Sequence, residues 1–286
     1  MRKIGIVIIA LILVGMVLPT GFATDSNLVI TYGETTYANN GYKSFVDSFF
    51  VNQANVDLNN VGTKVITADQ VNQVSSGITG KSYSSNQIYS SALLDLNDNA
   101  DLKVSVDRSK ITTITGDMYI SALKSAGITS GHVYVTSPVT ATGESALAGI
   151  MNAYEEATDV EIPESVKEAA NDEIYTQAEI VKNSGVDANE LSDLVDQVKQ
   201  EVATDNVTDH NTIVNIINNY VQNNNINITN NDIENLADTI EQVQNVQGDV
   251  NYYKDQVSDI LNNGNSTGGF SLDGLLGWIK SFVNGI

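Results

Sequence analysis

Gly143-Glu144-Ser145-Ala146 matches the first four residues of the Gly-Glu-Ser-Ala-Gly form of the esterase nucleophile elbow. Such an elbow would make Ser145 the nucleophile of acyl transfer. The elbow needs a second glycine so that the helix packs close beneath the strained serine, and Leu147 stands in that place. The serine should also sit directly between strand and helix, yet about nine residues separate Thr136 from Ser145. Only His210 lies downstream to act as base. The plainer reading is a helix start capped by Thr142 or Gly143, with Glu144 near its positive end. Free N–H groups at that turn would also suit an anion, but Glu144 places a negative charge there.

A second candidate is Asp95-Leu96-Asn97-Asp98-Asn99-Ala100-Asp101, whose alternating oxygen side chains resemble the front of a calcium loop. Ala100 replaces the glycine expected at the sixth position, and Val106 replaces the bidentate glutamate expected at the twelfth. A hairpin turn rich in Asn and Asp explains the same residues. Glu155 and Glu156 invite a glycosidase reading, but adjacent helical residues point apart. No catalytic, cofactor-binding or metal-ligating residue is assigned from the sequence.

Composition narrows the function classes. The chain of 286 residues carries 35 acidic and 14 basic side chains, a formal charge of −21. Nucleic-acid binding needs clustered Lys and Arg, and none occurs. The same charge repels an anionic membrane surface. With no cysteine, disulfides, thiolate zinc sites and thiol catalysis are excluded together. The two histidines, His132 and His210, leave little room for a histidine-built metal site. At 42% hydrophobic residues the chain has enough to build a core.

The elements that must position these residues follow from periodicity. Residues 1–23 read as a signal peptide: Arg2 and Lys3, an apolar run from Ile4 to Leu18, Pro19, then small residues ending at Ala23. Residues 27–160 read as an α+β domain. Its strands are Leu28–Tyr32, Ile88–Leu96, Leu102–Val106 and His132–Thr136, the middle two paired as a hairpin. Its helices carry Tyr42, Phe45, Val46, Phe49 and Phe50, then Val71 and Val74 behind a Thr67 cap, then Asp117–Ala126 before Gly127. Pro138 stops the last strand, and Leu147, Ile150, Met151 and Tyr154 form the stripe of the next helix.

Residues 161–261 read as a helical bundle. Asp187 with Glu190, flanked by Val186 and Leu191, combines a capping box with a hydrophobic staple. Thr208 and Thr229 start similar helices at the same 21-residue spacing. Residues 262–269 form a flexible linker. Residues 270–286 form an amphipathic C-terminal helix, suited either to docking and self-association or to peripheral membrane contact. Asn206, Asn227 and Asn265 head glycosylation sequons.

Ile30-Thr31-Tyr32-Gly33, Tyr83–Ser85, Ser137-Pro138, Thr142-Gly143-Glu144, Ala146-Leu147-Ala148-Gly149 and Ala153-Tyr154-Glu155 together resemble a secreted family catalogued as domain of unknown function 1002. The resemblance covers about Asn27 to Leu261. It implies an exported or membrane-associated bacterial or archaeal protein, and it brings no catalytic residue with it.

The sequence therefore predicts an α+β fold followed by an all-helical bundle. The expected function is a non-catalytic binding or structural module, extracellular or at the cell surface after signal cleavage. A chain retained by its N-terminal anchor, with the body outside, is the alternative location. The partner expected is an envelope component or a protein, with no nucleic acid and no cofactor. The competing function is an envelope serine hydrolase using Ser145.

Overall fold

The computed structural model describes residues 25–75, 82–98 and 101–263. The signal peptide at 1–23, the C-terminal helix at 270–286 and most of the expected linker lie outside the described residues.

Five strands form one mixed sheet: β1 (Asp25–Gly33), β2 (Val61–Ile66), β3 (Ser91–Asp95), β4 (Lys103–Val106) and β5 (His132–Thr136), in the spatial order β2-β1-β3-β5-β4. β1 and β2 run parallel, as do β4 and β5, while β3 lies antiparallel between β1 and β5. β1, β2, β4 and β5 thus all end at the same edge of the sheet, and β3 begins there.

The expected β3–β4 hairpin does not form, because β5 inserts between them and pairs with both. Asp95 therefore does not open a hairpin turn. Asp95 accepts the backbone N–H of Asn97 at 2.8 Å, a local Asx turn. Lys103 Nζ donates to Asp98 at 3.3 Å.

Strand alternation divides the sheet into two apolar faces. Ile30, Tyr32 and Leu93 meet Val46 and Phe50 of helix α2 (Asn40–Ala54), which follows the short α1 (Glu34–Ala38). On the opposite face, Val29, Ala92, Leu94, Val133 and Val135 join α4 (Gly116–Ser125) and α5 (Ser145–Thr158). The expected stripe of α5, Leu147, Ile150, Met151 and Tyr154, is buried. Gly149 lets this helix lie directly on β1, since a Cβ there would stand 2.7 Å from Thr31 Oγ1.

After Ile162 every described element is a helix: α6 (Glu164–Ser184), α7 (Ala188–Thr204), α8 (His210–Asn224), α9 (Asn230–Asn245) and α10 (Gln247–Asn263). The fold is α+β with the helices gathered behind a small sheet. Helix α6 is the spine: Val166, Ala169, Ile174 and Tyr175 share the sheet's core with Val250 and Tyr253 of α10. A second core joins Ile180 to Leu191, Val198, Ile213, Ile217, Leu236 and Ile240. Helix α10 continues through Asn262 and Asn263, where the linker was expected to begin.

The caps are mostly those the sequence announces. Thr67 and Gln70 exchange bonds at the start of α3 (Ala68–Ser75). Asp187 accepts from Asn189 and Glu190 backbone N–H groups, but the Glu190 carboxylate makes no return bond, so the expected box at α7 is a simple Asp cap, whereas Thr229 with Asp232 completes a capping box. The middle helix differs: Asp209, not Thr208, caps α8 by accepting the Thr212 N–H. A carboxylate one residue on is the stronger acceptor for that positive helix end. The start of α5 also differs, since neither Thr142 nor Gly143 caps it. Glu144 holds the cap position without a side-chain bond to the helix, and Thr142 Oγ1 donates to it instead.

Candidate functional site

The sequence's candidate nucleophile sits on the first turn of α5, partly exposed. Neither histidine touches it. His132 stacks on Tyr134 at 4.1 Å between centroids, and its ring nitrogens lie 2.9 Å from Ser105 Oγ and 3.1 Å from Tyr134 Oη. Burial holds His132 below the usual imidazole range. His210 faces three carboxylates of α9. The turn before Ser145 is shaped by packing: Gly143 has φ +114°, a Cβ there would stand 2.7 Å from Ile111 Cγ2, and Tyr119 Oη donates to the Gly143 carbonyl at 2.6 Å. Burial first, and the nearby Glu144 second, raise the Tyr119 phenol well above its ordinary range. Tyr119 therefore serves that turn as a neutral donor. Of the other candidates, Glu155 accepts the Ile162 N–H and pairs with Lys167, while Glu156 pairs with Lys64.

A buried polar cluster ties α4, α6 and α7 together, and it was not read from the sequence. Glu173, 1% exposed, accepts from Ser121 and Ser125 hydroxyls at 2.5 Å and from Lys199 Nζ at 2.8 Å. Lys199 also donates to the Ser121 carbonyl and to both serine hydroxyls, and pairs with Asp196 at 3.2 Å. A serine beside a lysine suggests hydrolase chemistry. Here the lysine is committed as a donor to two carboxylates, so the arrangement works as a clamp between elements. The sequence signal was faint: Ser121 and Ser125 stand one helical turn apart, but Glu and Lys in helices usually face water.

A groove of about 510 Å³ lies at the sheet edge where the parallel strands end. Crevices outside the carboxyl ends of strands are where open mixed sheets commonly bind ligands. Tyr37, Tyr42, Asn39, Thr35, Ser85 and Asn86 line it, with Glu34 and Val65. Gly33 makes the edge possible, because a Cβ at that position would stand 2.3 Å from the Ile88 carbonyl oxygen. The 85–89 segment can therefore lie against α1, where Thr35 Oγ1 donates to the Ser85 carbonyl at 2.8 Å and Thr36 Oγ1 to that of Tyr89 at 2.7 Å. Glu34 crosses to the start of α3, accepting the Ala68 N–H at 2.8 Å.

Each tyrosine of the groove is braced by another. Tyr37, 45% exposed, lies 5.8 Å from the Tyr32 ring, and Tyr42 meets Tyr89 edge-on at 6.1 Å. Beneath them Tyr32 Oη donates to Asp47 at 2.5 Å, and Lys43 bonds the same carboxylate at 2.8 Å while its ammonium sits 4.6 Å above the Tyr32 ring. Burial first, then that bond to Asp47, raises the Tyr32 phenol above its ordinary range. The Tyr37 and Tyr42 hydroxyls and the Asn39 and Asn86 amide NH2 groups make no hydrogen bond among the described residues. Two fixed aromatic faces rimmed by four uncommitted donors can hold a ligand without reacting with it.

A family model described as "Protein of unknown function (DUF1002)" matches residues 32–260. The chain belongs to that family. It is 33% identical over 158 residues to "Uncharacterized protein YpuA" of Bacillus subtilis strain 168, a match covering 54% of each protein. The chain thus spans about half the length of that curated relative. No solved structure matches. Three glycines among the residues that carried the resemblance sit where a side chain would clash. Gly33 admits the Ile88 segment, Gly143 makes the positive-φ turn over Ile111, and Gly149 seats α5 on Thr31.

Proposed function

We propose that this chain is an exported, acidic envelope protein with a non-catalytic binding role, and that the groove between Tyr37 and Tyr42 takes a segment of a saccharide-bearing wall polymer. The observation that carries the reading is the groove's chemistry. Sugar rings offer C–H faces that lie on aromatic rings and hydroxyls that accept from amide and phenol donors, and the groove supplies both. Braced rings lose little freedom on binding, which favours affinity. The high negative charge suits a neutral or cationic polymer and disfavours an anionic one.

Secretion is supported by the basic and apolar pattern of the first 23 residues. Among the described residues, no helix is long and apolar enough to cross a membrane. Both histidines are engaged away from Ser145, which favours binding over hydrolysis.

Co-sedimentation with purified cell-wall polymer tests the proposal. The mature protein should sediment with the polymer, and the Tyr37→Ser, Tyr42→Ser variant should bind about tenfold more weakly, as loss of two aromatic contacts implies. Equal binding by both proteins would refute the groove. Labelling of Ser145 by an activated-ester probe, abolished in Ser145→Ala, would replace binding with hydrolysis.

A further inference from the structure

His210 at the start of α8 stands against one stripe of α9, formed by Glu234, Asp238 and Glu241 at positions i, i+4 and i+7. Its Nε2 lies 2.9 Å from Glu234 Oε2. A carboxylate accepts only, so Nε2 carries the ring proton. The other nitrogen, Nδ1, lies 3.3 Å from Asp238 Oδ1 and 3.3 Å from Glu241 Oε2. These three ligand atoms all fall within 4.8 Å of one another. Nδ1 thus presents its lone pair toward two carboxylate oxygens, three ligand atoms that one shared cation would satisfy together.

Geometry makes the metal concrete. Ligands 2.0–2.2 Å from a tetrahedral ion are separated by about 3.3–3.6 Å, 1.63 times the bond length. Both Nδ1-to-oxygen separations meet that value. Glu234 on Nε2 supplies the carboxylate–histidine–metal arrangement that fixes ring orientation and raises ligand basicity. Among the described residues these three carboxylates have no ion-pair partner besides His210, so no lysine or arginine competes for them. Asp238 also lines a neighbouring cavity of about 430 Å³ with Asp172, Glu168 and Glu179, which offers solvent-side access and further negative potential.

We infer that His210, Asp238 and Glu241 form a divalent transition-metal site of the zinc class, ligated through Nδ1, Oδ1 and Oε2, with water completing the shell. One imidazole with two carboxylates suits Zn²⁺ or Co²⁺, whereas Ca²⁺ takes oxygen ligands only. The ion would pin the start of α8 to α9.

The full mature chain, titrated with Co²⁺, tests the inference. A visible spectrum of four-coordinate Co²⁺ at one equivalent, displaced by Zn²⁺ and not by Ca²⁺, is expected. His210→Ala and Asp238→Asn should abolish that spectrum, and Glu234→Gln should weaken binding about 10–100-fold. Asp117→Asn, a carboxylate on α4, should leave it unchanged. An octahedral spectrum, displacement by Ca²⁺, or binding that survives His210→Ala would show mere cation accumulation by an acidic surface and overturn the site. A structural collapse in His210→Ala is read out separately by circular dichroism, and Glu234→Gln then carries the test.

Discussion

Replacing Lys199 with Met leaves Glu173 as a carboxylate buried beneath α4 with only two serine hydroxyls and the Gln177 amide to meet it. Breaking a buried ion pair by removing one partner typically costs about 3–5 kcal/mol, because the remaining charge stays desolvated. Asp196 is 38% exposed and contributes a screened interaction worth much less. For a domain of this size, 1 kcal/mol shifts Tm by about 2–4 °C, so Lys199→Met should lower Tm by about 6–20 °C. Glu173→Gln should fall in the same range, since Lys199 then lies beside a neutral amide. The double variant removes both charges and should be little worse than either single one, giving a coupling energy of about 3 kcal/mol. Urea denaturation of the four proteins measures this, with m unchanged if the denatured state is unaffected. Strictly additive single effects, or a Lys199→Met loss under about 1 kcal/mol, would show that the cluster is solvated and that α4, α6 and α7 are held by apolar packing alone.

Gly33→Ala should destabilise by more than 2 kcal/mol and weaken polymer binding together, because its Cβ meets backbone at 2.3 Å and must push the Ile88 segment off α1; thermal melting and co-sedimentation read the two effects. Thr229→Ala removes the hydroxyl that accepts the Asp232 N–H at the start of α9, while the Thr229 backbone N–H still donates to the Asp232 carboxylate, and should cost about 1 kcal/mol in urea denaturation. Asp172 is raised to about 6, by burial first and then by Asp238. Its folded pKa exceeds the unfolded value, so its ionisation opposes folding and stability should fall as pH rises from about 4 to 6. Asp172→Asn should flatten that slope and stabilise the protein by about 1 kcal/mol at pH 7, after discount for solvent screening; a slope unchanged in the variant would assign it to other groups.

Local rules reached some of these elements and not others, for identifiable reasons. The stripe of α5, the Asp187 and Thr229 caps and the strand around Val133 and Val135 are written in residues a few positions apart. The pairing of β5 between β3 and β4 is not. A strand pair separated by helix α4 leaves no mark in either strand's own pattern, so the neighbouring runs looked like a hairpin. The choice of Asp209 over Thr208 turns on one residue, at a boundary where two acceptors compete. The groove was half legible: Gly33 and the Ser-rich 83–85 region stood out, but only the fold brings them to Tyr37 and Tyr42. His210 seemed isolated because its three carboxylates lie more than twenty residues on, across the turn into α9. Glu173 and Lys199 read as solvated helix residues, since burial of a charge shows only when its partner is in place.

The groove is tested most directly by equilibrium binding of purified wall polymer to the wild-type chain and to Tyr37→Ser, Tyr42→Ser, with matched melting temperatures verified beforehand. The account predicts saturable binding by the wild type and about tenfold weaker binding by the variant. Equal affinity in two equally stable proteins would contradict it.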